Sequence, residues 1–168
     1  MLHQTKAWSA ALGSLLALLY TTAALAAPTP CVPFSIDDHI NNLLIDGKAV
    51  GGEGPVRVKL NGQLMNAFIT IIRLGPTDAI KRPVLNFLTL DFGAQGSIAA
   101  SLPGDQDATG LFEQPPRTAT FEGNGTVISG TQQFVDTKGV FYTLLQNDFV
   151  RPIAVQINCM LCQRAAAG

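Results

Sequence analysis

From Pro55 onward, apolar residues recur at every second position in short runs broken by turn residues. "VRVKL" alternates strictly, and "LMNAFITIIRL" follows it across Asn61-Gly62, a pair that tolerates the left-handed backbone of a two-residue hairpin turn. Further runs stand at "VLNFLTLDF", "SIAAS", "RTATFE", "GTVIS", "QQFVD", "VFYTLL" and "VRPIAVQINCML". Turn signals separate them about every ten residues, and no helix of core length competes for the apolar surface. The pattern predicts an all-β domain, a small closed antiparallel barrel of about eight strands, over residues 55–162. "LPGDQDATG" and "EQPP" read as a solvated excursion between two of the strands.

Several strands are apolar on both faces. In "VLNFLTLDF" one face carries Val84, Leu88, Leu90 and Phe92, and the other carries Leu85 and Phe87. A free antiparallel sheet alternates apolar inside with polar outside, so two-sided apolarity predicts that the outer face is covered. With few helices available, a second copy of the chain is the expected cover, hence a homo-oligomer.

Residues 27–54 read differently. Ile36, Ile40, Leu43 and Leu44 recur at helical spacing behind Ser35, a candidate cap with Asp38 three residues on. A short helix or an irregular first strand both fit this segment. "DGKAVGGEGP" lacks the Gly-Lys-Ser/Thr ending of a phosphate cradle and reads as a flexible glycine-rich loop.

Toward the end of the chain, Gly123, Gly125, Gly130 and Gly139 punctuate "TVIS", "QQFVD" and "VFYTLL". Glycines among strands permit bulges, close backbone approach and the corners that closing a sheet requires. This spacing resembles that of allene-oxide-cyclase-like barrels and the related dirigent-like proteins. Their run of Gly-x-Gly-x-hydrophobic is matched by Gly123 and Gly125. Their following Gly-Gly-Thr-Gly-x-Phe element is matched by Gly130, Thr131 and Phe134, with Gly139 beyond; Ser129 and Gln132 depart from it. "LTLDFGAQGSIAAS" resembles the hairpin upstream, and the resemblance spans Phe87 to Leu145. It implies a small eight-stranded barrel, often dimeric or trimeric, but supplies no matching functional residues.

The ends of the chain bear on location. A short, weakly basic start precedes the apolar run "AWSAALGSLLALLY", and Ala24 and Ala26 make a small-x-small cleavage pattern before Pro28. Residues 1–26 therefore read as a secretory signal peptide, an uncleaved anchor being the alternative. A secreted or periplasmic protein is expected, with no membrane attachment after cleavage and residues 163–168 as a short tail. Cysteine use agrees: Cys31 opens the mature domain, and Cys159 and Cys162 close it. In an oxidising compartment one disulfide is expected, joining Cys31 to Cys159 or Cys162.

Charge and chemistry narrow the function. With Lys6 set aside, ten basic residues face twelve acidic ones and no basic run occurs, which gives no support to a nucleic-acid partner. A metal site is not expected, because the mature chain has a single histidine, His39; no cofactor is implied. His39 beside Asp37 and Asp38 is the one acid–base cluster, and it reads better as the solvated first turn of a helix than as a triad, since no Gly-x-Ser-x-Gly elbow is present. Asn124-Gly125-Thr126 is a glycosylation sequon that reads first as a turn. Isolated polar residues on apolar strands are the candidate ligand contacts: Arg73, Asn86 and Tyr142. Catalytic residues stay unassigned. The expected function is that of an exported barrel holding a small hydrophobic ligand in its interior or at its mouth. A cofactor-independent cyclase, isomerase or dirigent-type guide that confines a reactive intermediate is one alternative. A structural or assembly protein with a filled barrel is the other.

Overall fold

Eight strands take up most of the residues that the computed structural model describes, which are 30–74, 81–109, 118–148 and 151–163. In chain order they are β1 (Cys31–Ile45), β2 (Lys48–Leu60), β3 (Gln63–Leu74), β4 (Lys81–Asp91), β5 (Ser97–Asp107), β6 (Ala119–Gly130), β7 (Lys138–Asn147) and β8 (Ile153–Cys162). Each pairs antiparallel with the next, and β8 returns to pair with β1, so the sheet closes into an up-and-down barrel. Among the described residues there is no α-helix. The predicted signal peptide lies outside the described residues, as does all of the tail except Gln163.

Period-two alternation fills the barrel. On β8, Ile153, Val155, Ile157, Cys159 and Leu161 point inward and are buried, while Gln156 and Asn158 are exposed. Val56 and Val58 of β2, Ala67, Ile69 and Ile71 of β3, and Leu88 and Leu90 of β4 meet them inside. Each fully buried aliphatic side chain contributes about 1.5–3 kcal/mol, which makes this interior the main source of stability.

The barrel begins at Cys31, not at Pro55. The helical spacing of Ile36 and Ile40 also fits period two, and pairing decides between the readings. Cys31 to Ile40 match Cys162 to Ile153 in ten consecutive register pairs. A helix here would leave the edges of β2 and β8 without partners. The glycine-rich stretch is likewise strand, not loop. Asp46 and Gly47 form the turn, with φ of 50° and 73°, and β2 starts at Lys48. At Gly51 a Cβ would run into the carbonyl oxygen of Ile71 on β3, so the glycine reflects close strand approach.

Three further expectations change. "LPGDQD" continues β5 instead of leaving the sheet, because Leu102, Gly104 and Gln106 extend the inward alternation of Ile98 and Ala100. "RTATFE" and "GTVIS" are one strand, β6, in which Asn124 stands mid-strand and exposed, not in a turn. "QQFVD" is a 3-10 turn at Gln132–Phe134, since Gln132 and Asp136 adopt φ of 51° and 60°. The glycine punctuation has a packing cause here: Gly104 and Gly123 face each other across β5 and β6. The Phe121 ring lies in the space that a Cβ at either would occupy.

The two ends of the barrel differ. At the end holding the Asn61-Gly62 turn, Phe34 meets Phe141 edge to face at 5.7 Å, and Phe92 meets Phe134 at 4.7 Å. All four rings are buried and plug that end. The Cys31–Cys162 disulfide joins β1 to β8 there, closing a sequence separation of 131 residues. Cys159 is the free cysteine among the described residues, and burial pushes its thiol up to about 12.

On the outer wall the two-sided apolarity stays uncovered by any described segment. Phe68, Ile72 and Leu74 of β3 are exposed. In register, Ile72 stands beside Phe87 and Leu74 beside Leu85 on β4.

Because the disulfide ties the two strands that close the barrel, Cys31→Ser with Cys162→Ser is expected to lower unfolding stability by about 2–5 kcal/mol. Denaturant titration with and without reductant checks this: the wild type in reductant should match the double variant.

Candidate functional site

The end opposite the phenylalanine plug is built from the last residues of β1, β3, β5 and β7 and the first of β2, β4, β6 and β8. It holds a cavity of about 50 Å³. Its walls are mostly apolar, with Ile40, Ile71, Phe121, Leu145 and Ile153 around small residues at Ala49, Gly51, Gly52 and Ala119. Polar side chains interrupt this lining: Arg73, Asn86, Gln106 and Asn147 on inward positions of their strands, and Thr120 beside Ala119.

Arg73 and Asn86 are brought together. They are register partners on β3 and β4, and both follow the inward face of their strands. Asn86 is buried at 4 % exposure, while Arg73 is half-buried. Burial pulls the Arg73 pKa down from its ordinary value, with no opposing contribution from a nearby carboxylate. Arg73 is also the only charged residue in the cavity lining among the described residues. Gln106, at 7 % exposure, has its Oε1 buried without a hydrogen-bond partner. Across the seam, Asn147 Nδ2 donates to Asn42 Oδ1 at 2.8 Å, tying β7 to β1 at the lip.

Tyr142 stands elsewhere. It faces outward on β7, 40 % exposed, and its hydroxyl donates to Glu122 Oε1 of β6 at 2.9 Å. That hydrogen bond to a carboxylate, with a lesser contribution from burial, raises its pKa. The alternation "KGVFYTLL" puts Phe141 and Thr143 inside and so assigns Tyr142 to the wall.

Gln106 and Asn147 were not among the sequence candidates. Gln106 sits in a stretch rich in Gly, Asp and Pro that reads as loop, although its alternation with Leu102 and Gly104 carries the inward signal. Asn147 ends a strand, where the sequence gives no cue to an inward side chain.

The acid–base cluster is dispersed. Asp37 and His39 are exposed on β1. Asp38 instead bridges a gap in the β1–β2 ladder: its Oδ2 accepts from the Arg57 backbone N–H at 3.0 Å and its Oδ1 from the His39 N–H at 2.9 Å. Partial burial favours the neutral acid, but those two backbone hydrogen bonds together with the charges of Arg57 and His39 outweigh it and hold the carboxyl below its ordinary value. No group of three or more metal-ligating side chains occurs among the described residues.

Compared with known proteins, the chain matches no family model, no curated protein and no solved structure. The geometry of the mouth therefore carries the functional argument by itself.

The role of Asp38 predicts a pH effect. A carboxyl with a depressed folded pKa stabilises the fold above its unfolded value near 4, and that contribution is lost as pH falls through the lower folded value. Asp38→Asn is expected to flatten the acid limb of stability below about pH 4. Chemical denaturation between pH 2.5 and 7 tests it, and an unchanged slope would refute the assignment.

Proposed function

We propose that this is an exported small β-barrel protein that binds a small molecule at the mouth of its barrel. One observation carries the reading: the two ends are built to different rules. One end is filled by four phenylalanines, and the other leaves free space walled by aliphatic side chains around Arg73, Asn86 and Gln106. A small apolar concavity with a few convergent polar groups is the usual form of a ligand site. Export is supported by the disulfide, which persists in oxidising compartments, and by the leader-like first 26 residues. No described helix is long and apolar enough to cross a membrane.

The volume sets limits on this reading. Sites that enclose a drug-sized ligand span about 300–1,000 Å³, far more than the mouth offers. Ligand held deep inside the barrel is thus not favoured, because Phe, Ile and Leu side chains occupy the interior. Cyclisation or stereochemical guidance by confinement, the activity that goes with the glycine-spacing resemblance, is the weaker reading for the same reason. Binding of one end of a ligand, with the remainder at the lip, fits the space available.

Filling the mouth tests this. Ala119→Leu adds bulk from an inward, buried position on the cavity wall. In a thermal-shift screen of small amphiphiles, a ligand at 100 times its dissociation constant stabilises the wild type by about 2.7 kcal/mol. The shift is expected to vanish in Ala119→Leu, and hits that shift both proteins equally would refute the mouth as the site.

A second reading, self-assembly through the outer wall, is favoured by the exposed row formed by Phe68, Ile72 and Leu74 beside Leu85 and Phe87. Sedimentation should then show a dimer or larger species that Ile72→Lys with Leu74→Lys converts to monomer. A wild type that is monomeric at 100 μM would exclude it.

A further inference from the structure

Resting on the mouth-binding reading, we infer that the site selects a carboxylate: the ligand is an amphiphile whose single carboxylate sits against Arg73 inside the mouth while its apolar remainder lies on the lip. Charge, size and the surroundings of the cavity lead to this independently.

Charge comes first. Among the described residues Arg73 is the one charged side chain in the lining, with no described carboxylate there to neutralise it. A guanidinium presents planar paired N–H donors that match a carboxylate, and such pairs strengthen as water is excluded. Asn86, 4 % exposed beside Arg73, adds an amide that can donate to the second carboxylate oxygen. Gln106, 7 % exposed with an unpartnered amide oxygen, can turn its amide to donate once an acceptor is present.

Size agrees. On the scale where one water needs about 15 Å³ of free space, a cavity of this volume takes roughly three such groups, the number of heavy atoms in a carboxylate. It does not take a ring or a chain as well. The surroundings supply a place for these: Leu44 and Ile45 at the end of β1 are exposed at this end of the barrel. A cationic floor under an apolar lip is complementary to a carboxylate with a hydrocarbon tail.

The test compares two probes of equal chain length, sodium octanoate and 1-octanol, by calorimetry on the disulfide-bonded mature protein at pH 7. Octanoate is expected to bind at least roughly tenfold tighter than octanol, as a charge-assisted hydrogen bond implies. Arg73→Met should abolish that preference with the melting temperature equal or higher. Arg73→Lys should retain part of it. Equal binding of both probes to the wild type, with both lost in Ala119→Leu, would overturn the carboxylate assignment and leave the mouth-binding reading intact. A preference that survives Arg73→Met would overturn it too, as would displacement of octanoate by equimolar sulfate, which would mark an unselective anion site. Binding of neither probe would overturn both readings. Should Arg73→Met fail to fold, Arg73→Lys and the wild-type probe comparison decide.

Discussion

The pairing of β1 with β8 is the constraint on which the rest of this molecule depends. Its ladder runs from Cys31↔Cys162 to Ile40↔Ile153 and joins residues more than a hundred positions apart, so it is the most costly contact in loop entropy. Without it, the eight sequentially paired strands would form an open sheet with two raw edges and an apolar face turned to water. With it, every strand has two neighbours and the apolar face becomes an interior. The disulfide sits at one end of this ladder, and the Asn42–Asn147 hydrogen bond binds the β1–β7 lip at the other.

Closure also explains why the ends came to differ. A barrel of eight strands is just wide enough for side chains to fill it. Large rings at Phe34, Phe92, Phe134 and Phe141 do so at the disulfide end. At the other end the inward positions fall to Gly52, Ala119, Gln106, Asn86 and Arg73, which either fill less or need polar partners. Free space and unpaired polarity therefore appear together, through the taper of side-chain size along the barrel axis.

Much of this was legible in the sequence. Period-two alternation in "VRVKL", "AFITIIRL" and "IAVQINCML" specifies strands, and three cysteines at the two ends specify a staple, although spacing could not separate Cys159 from Cys162 as the partner of Cys31. The alternation of β8 decides between them: Cys159 faces inward and Cys162 meets Cys31 across the seam. What escaped was strand built from residues of poor strand propensity. "GGEGP" and "LPGDQD" lack the β-branched side chains that mark a strand, yet at Gly51 and Gly104 the neighbouring strands leave no room for a Cβ. Tertiary crowding overrode local propensity there. The β1 segment escaped for another reason: Ile36 and Ile40 fit both periods, and only the partner strand removes the ambiguity. Of the site, Arg73 and Asn86 could be read as polar interruptions of apolar strands. Tyr142 met the same criterion and points outward, because the criterion ignored which parity of β7 faces the core.

That criterion still isolates Arg73, a charged group whose presence the barrel core does not require. A guanidinium drawn partly out of water without a counter-ion loses hydration and gains nothing in return, and its depressed pKa registers this cost. A leucine or methionine at the same inward position would extend the apolar row of Ile69 and Ile71 and serve the barrel better. Natural folds keep such local inconsistencies chiefly where a ligand or partner compensates them. Arg73 closes no seam, caps no turn and pairs with no described carboxylate. The carboxylate proposed for the mouth would supply the counter-ion that Arg73 lacks among the described residues.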